Sequence, residues 1–213
     1  MAIVGPVSIG GAFQRNALTL QIPIAAAVPA GAFVIVVVGT NAPDTANITL
    51  SDGTANSYFE QVQSQPPGAQ AMLDVFLVQN ALAVASGNIT ITSDTHADFA
   101  AEAYYFTGAY GELVYSNVEW FTTATTTPSM DTQALPNFMC FACDGIIGPS
   151  SDAFTNDPSW GPIVRSAVAT ATVTVRACSR PAVASGPNAY ASYPWNPVLG
   201  TARRSIGFTC SFN

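Results

Sequence analysis

The chain has 213 residues, 49% of them hydrophobic and only 9% charged, with six basic against thirteen acidic side chains. That length can bury a core without metal or disulfide staples, and a formal net charge of −7 argues against a nucleic-acid partner, whose phosphates need a basic face. All six basic residues are arginine and lysine is absent, a balance that suits a surface covered in an assembly better than that of a free monomer.

No basic stretch precedes an apolar one between Met1 and Gln14, so no secretory signal is read there. No run approaches the roughly 18 apolar residues of a membrane helix, so no membrane partner is expected. Residues 1–17, ahead of the first clean alternation, leave room for an N-terminal arm reaching a neighbour. Leu18, Leu20, Ile22 and Ile24 then alternate with Thr19, Gln21 and Pro23, a half-buried strand whose proline suggests an edge. Phe33–Val38 is apolar at every position and reads as a central strand covered on both faces. Ile48 and Leu50 flank Thr49 before the turn Ser51-Asp52-Gly53. Leu73, Val75 and Leu77 share a face, Ile89 and Ile91 alternate with threonines, and Ala103–Phe106 stops at Gly108.

Downstream, Glu112 and Glu119 fall in a connector, a polar stretch runs from Thr122 to Met130, and Phe138–Cys143 is again apolar on both faces. Ala169, Ala171, Val173, Val175 and Ala177 alternate with polar residues, and Ile206, Phe208, Cys210 and Phe212 close the chain the same way. Sixteen glycines and fifteen prolines leave no uninterrupted helical window. The expectation is an all-β, antiparallel β-sandwich of about 10–12 strands.

Two stretches repeat: Ala83–Asn88 reads AVASGN and Ala182–Asn188 reads AVASGPN. Each follows a long alternating strand at the same spacing, LDVFLVQN from Leu73 and TVTVRACS from Thr172. Phe33–Val38 has its counterpart in Phe138–Cys143, and Asn56–Phe59 a looser one in Asn156–Trp160. These matches suggest one sandwich domain over residues 1–213 with related halves, about 18–110 and 122–213, AVASG being a hinge between neighbouring strands. Two separate sandwiches are the alternative.

The succession GAFVIVVVG, ITLSDGTANSYFEQV, MLDVFLVQNALAVASGNITIT and AEAYYFTG resembles jelly-roll-like β-sandwich proteins of bacteriophage and prophage virions, and some bacterial surface proteins. The resemblance spans Val28 to Gly108 well and Thr122 to Asn213 loosely. It implies a jelly-roll-like architecture and a place in a virion as a decoration, spike or tail component. Its motifs are structural, so no catalytic residue is carried over, and the scarcity of charge departs from the usual members.

Chemical candidates are few. His96, the single histidine, sits in Asp94-Thr95-His96-Ala97-Asp98; alternate residues share a strand face and could hold a metal, but a polar hairpin tip explains them as well. Cys140 and Cys143 lie three apart in an apolar strand, which sends them to opposite faces, unlike a zinc knuckle or redox turn. No spacing brings two carboxylates together as a glycosidase requires. Asn47-Ile48-Thr49 and Asn88-Ile89-Thr90 fit the glycosylation sequon but also the alternation of a strand. Tyr190, Tyr193 and Trp195, joined by Trp160 if the halves pack together, could stack on a sugar, anchor a subunit contact, or close a core. The expected function is that of a non-enzymatic structural protein of a phage-like virion, without cofactor, made in the host cytoplasm. Its partners would be copies of itself and a major capsid or tail protein. A carbohydrate- or host-receptor-binding module is the alternative.

Overall fold

The computed structural model describes residues 3–41, 46–64, 72–108, 113–149, 151–162, 168–169, 173–182 and 190–213, and every regular element among them is a strand. In the first half, β1 (Val4–Pro23), β2 (Phe33–Thr40), β3 (Ile48–Ser51), β4 (Phe59–Ser64), β5 (Met72–Val78) and β6 (Asn88–Thr107) make one antiparallel sheet. Its order is β1-β6-β2-β5-β4, with β3 beside β6. β1 and β6 run 20 residues each, and register shifts around Ala17 bend them. The bend folds the far ends of both strands, with β3, back over the sheet. Leu20, Ile22, Ile48, Ile89 and Ile91 thereby share one buried cluster with Val34, Val36, Val38, Phe76 and Val78.

The arm expected over residues 1–17 is, from Val4 onward, the paired first part of β1, running from Val4 against Thr107 to Ala17 against Ala97. Bulges between Val4 and Val7, Ser8 and Gly10, and Gln14 and Ala17 interrupt the period-two pattern by which sequence reveals a strand.

The second half contains β7 (Leu113–Thr125), β8 (Met130–Ala134), β9 (Met139–Ile147), β10 (Phe154–Thr155), β11 (Val168–Ala169), β12 (Val173–Pro181), β13 (Ala191–Trp195), β14 (Val198–Leu199) and β15 (Arg203–Phe212). Its main sheet runs β11-β12-β9-β15-β7, and the short ladders β8–β13 and β10–β14 stand apart from it. β8 is fixed over β15 by side chains: the Thr209 hydroxyl donates to the Asp131 carbonyl at 2.7 Å and that of Ser211 to the Gln133 carbonyl at 2.6 Å. Met130, Ala134, Tyr193 and Trp195 close a core over Cys140 and Ala142.

The inner faces of the two main sheets meet in a third cluster. Phe33, Ile35, Val37, Leu73 and Val75 come from one side, and Phe141, Cys143, Val175, Phe208 and Phe212 from the other. β2 and β9 therefore bury both faces, which is why FVIVVV and FMCFAC carry no alternation. The fold is an antiparallel β-sandwich, and each main sheet is covered on its outer side as well.

Replacing β1, β6, β2, β5 and β4 by β7, β15, β9, β12 and β11 turns one strand order into the other. Details repeat with it. Gly31 (φ 81°) precedes β2 and Asn137 (φ 70°) precedes β9. The Ala32 carbonyl accepts from Ala81 N–H and the Phe138 carbonyl from Ala182 N–H, both at 2.8 Å. Gly39 pairs with Leu73 and Gly145 with Val175 in their own sheets; across the core Gly39 faces Val175 and Gly145 faces Leu73. Reciprocity of this kind is what a twofold contact produces, and the rings of the equivalent residues Phe106 and Phe212 meet edge to face, centroids 4.8 Å apart.

The structural equivalence differs by one position from the match in letters. Phe33 corresponds to Met139, not Phe138, because odd-numbered residues of both strands face the shared core and a one-residue slip would exchange the faces. In the first AVASG stretch Val84 bridges to Val28; in the second, residues 183–189 lie outside the described residues.

Candidate functional site

The aromatic candidates are brought together, but inward. Tyr193 and Trp195 alternate along β13, opposite Thr132 and Met130 of β8, and Trp195 is fully buried, with Tyr193 and Trp160 nearly so. The rings of Trp160 and Trp195 lie 6.3 Å apart. Their indole N–H groups donate to the Pro194 carbonyl and to Asn156 Oδ1, each at 2.7 Å. The Arg180 guanidinium lies 4.9 Å from the Tyr193 ring and 5.9 Å from that of Trp160. A sugar platform requires open ring faces, and these three rings form a core; Tyr190, 56% exposed, is left outside it. The signal for their burial was the alternation of Tyr193 and Trp195 about Pro194, which points both rings one way.

Carboxylates hold the turns around this layer. Asp157 Oδ1 accepts from the Ser159 N–H at 2.8 Å and hydroxyl at 2.7 Å, while its Oδ2 accepts from Asn196 N–H at 2.9 Å. Asp52 plays the matching part in the first half. It accepts from Thr54 N–H and Oγ1 (2.9 and 2.6 Å), Asn56 Nδ2 (2.7 Å) and the Tyr58 hydroxyl (2.9 Å). Burial would raise Asp52, but the bonds from Thr54, Asn56 and Tyr58 outweigh it and hold the carboxyl below its usual range. Asn56 in turn accepts from Leu82 N–H at 2.7 Å, tying the turn to the segment after β5. Between the Asp52 turn and residues 83–88 runs an open groove of about 560 Å³, lined by small side chains such as Ser51, Thr54, Ser86 and Thr90.

His96 is exposed, its Nδ1 3.1 Å from the Asn16 carbonyl. Asp94 accepts from Asn47 N–H and Asp98 from Asn16 N–H, so both carboxylates fasten neighbouring chain segments. No group of three metal-ligating side chains converges among the described residues. Cys140 packs in the outer cluster and Cys143 in the inner one, on opposite faces of β9. Burial pushes the Cys140 thiol up to about 12, Arg180 opposing. Glu119 lies on β7, a strand where a connector was expected, and Glu112 falls outside the described residues.

The full burial of three acids, Asp74, Glu102 and Asp144, was not anticipated. Asp144, on the outer face of β9 opposite Arg176 of β12, is raised to about 7 by burial, with Arg176 opposing. Arg176 caps the Phe154 ring at 4.4 Å. Asp74 on β5 is raised by burial and by Glu60. Each is a single acid inside an apolar run, a pattern that carries no spacing to recognise.

Several large apolar side chains are exposed. Val4, Phe13, Leu18, Phe59, Leu82, Trp120, Tyr190 and Val198 are all at least 40% exposed. Phe13 and Trp120 occupy equivalent places on the edge strands β1 and β7, opposite Ala100 and Ile206, which themselves pair with Gly39 and Gly145. The chain matches no protein-family model, no curated protein and no solved structure.

Proposed function

We propose that the protein is a non-enzymatic structural component of a phage-like virion, a decoration, spike or tail element, that works through contacts with its own copies and with a capsid or tail protein. The observation that carries the reading is the placement of exposed aromatics on edge strands of a β-sandwich with few charges. Phe13 on β1 and Trp120 on β7 stay 62% and 52% exposed, on a chain whose charged residues make up 9%. Exposed rings on open sheet edges favour association. Such a component acts mechanically: each Å² of apolar surface it covers stabilises the assembly by about 25 cal/mol, over interfaces of roughly 1,600 Å².

The carboxylates described above support the same reading, since Asp52, Asp94, Asp98 and Asp157 accept backbone N–H groups and Asp74 and Asp144 are fully buried. The test is immunogold labelling of particles released when producing cells lyse, with sedimentation of the same lysate. Regular labelling at one place on the particle is the expected result. Protein recovered only as a free monomer, with particles unlabelled, would overturn the proposal.

A further inference from the structure

We infer that the groove between the Asp52 turn and residues 83–88 is a binding site for a neutral glycan chain. Its volume of about 560 Å³ is that of a small-ligand site. Both walls are fastened. Asn56 Nδ2 donates to the Leu82 carbonyl while Leu82 N–H donates to Asn56 Oδ1. Val84 exchanges two backbone bonds with Val28, and the Gly87 carbonyl accepts from Ile24 N–H at 3.0 Å. Walls already held in place need not be ordered when a ligand arrives, which removes part of the cost of binding.

The chemistry of the lining selects the ligand. Ser51, Ser86, Asn88 and Thr90 carry hydroxyl and amide groups that can both donate and accept. Ala83 and Ala85 add small apolar surface beside them, and a Cβ built on Gly53 or Gly87 would meet no heavy atom within 4 Å. Asp52 is the one charged side chain of the lining, and its carboxylate is already engaged by Thr54, Asn56 and Tyr58 within its own turn. A charged ligand would therefore find no opposite charge here. A sugar matches the lining, since it is hydroxylated along its edges, apolar on its C–H faces and uncharged.

The same surface continues along the sheet, which favours a chain over a single sugar. Ser51 of β3 pairs with Thr90 of β6, and Gln21 of β1 stands on the other side of Thr90. The next row on that face is Thr49, Thr92 and Thr19, again one from each strand. Thr19, Gln21, Thr49 and Thr92 are exposed, while Leu20, Ile22, Ile48, Ile89 and Ile91 between them turn into the core. Hydroxyl groups thus recur about 4.8 Å apart across the strands and about 6.8 Å apart along them, so a glycan that overhangs the groove keeps finding partners.

The purified, fluorescently labelled full chain, applied to an array of neutral and sialylated glycans of about two to six sugar units, should be captured by at least one neutral glycan. Ser86→Trp, which fills the groove from an exposed position, should abolish that capture with the melting transition unchanged. The double variant Ser51→Ala, Thr90→Val removes two hydroxyls at nearly constant shape and should weaken binding of the captured glycan by about tenfold, whereas Tyr190→Ala should leave it unaltered. Failure to bind any neutral glycan would overturn the inference. So would capture that survives Ser86→Trp, or a preference for sialylated glycans over their neutral parents. The virion reading is tested separately, since the array needs no particle and the immunogold experiment needs no glycan.

Discussion

Gly39 and Gly145 occupy equivalent positions, yet a methyl group added to each should act differently. A Cβ on Gly39 would lie 2.7 Å from Val175 Cγ2 and 2.9 Å from Val173 Cγ1. Both neighbours are β-branched, stiff at χ1 and fully buried on the facing sheet, so the sheets themselves must separate. Overpacking by a methyl costs roughly 1–3 kcal/mol, and a stiffer unfolded chain returns about 0.5 kcal/mol. The net loss is about 0.5–2.5 kcal/mol, or roughly 1–10 °C in the melting temperature of a domain this size. A Cβ on Gly145 would meet Leu73 Cδ1 at 3.3 Å, the end of a flexible side chain that can withdraw by a few tenths of an ångström. Gly145→Ala should therefore stay within about 0.5 kcal/mol of the parent. Urea unfolding at constant m value measures both variants. If Gly145→Ala proves as harmful as Gly39→Ala, or Gly39→Ala is neutral, the account of how the halves pack is wrong.

Trp195→Ala should destabilise by roughly 3–5 kcal/mol, as for a large buried ring, and Tyr190→Ala by no more than about 0.5 kcal/mol; equal thermal melts would show that the aromatic loop is not a core. Asp52→Ala removes four accepted hydrogen bonds and should cost about 1–3 kcal/mol at neutral pH. Because the folded Asp52 carboxyl is lowered, its contribution is present above the unfolded value of 3.8 and lost as pH falls through the folded one, so the variant and parent should converge in acid. Asp144 has the opposite sign. Raised from 3.8 to about 7, it contributes stability that is full below 3.8 and is lost as pH rises through about 7. Asp144→Asn should therefore flatten the decline in urea midpoint between about pH 4 and pH 8, and parallel curves for the two proteins would refute the assignment.

Strands that obey one face rule were legible. Phe33–Val38 announced a doubly covered strand because both its faces meet apolar layers, and Ile206–Phe212 announced an alternating one because Thr209 and Ser211 turn to β8 backbone carbonyls. β7 was hidden in a connector, since an edge strand half exposed on both sides mixes Glu119, Trp120 and threonines without a period. The first part of β1 was hidden by its bulges. The repeated letters marked out corresponding stretches, but aligning the strands themselves required knowing which face each residue takes. The aromatic cluster was legible as a group of residues and not as a core, because burial of Trp195 depends on β8 and on Trp160, 35 positions away in sequence.

The pairing of Val4 with Thr107 has a consequence for how the molecule is made. The first sheet cannot close until residue 107 has left the ribosome, and once closed it displays Phe33, Ile35, Val75 and Phe106 with nothing against them. Their cover includes β15, which ends at Phe212, about a hundred codons later, or roughly 5–20 s of elongation. Throughout that interval the nascent chain carries an uncovered apolar face, so its exposure to aggregation grows with the time translation takes.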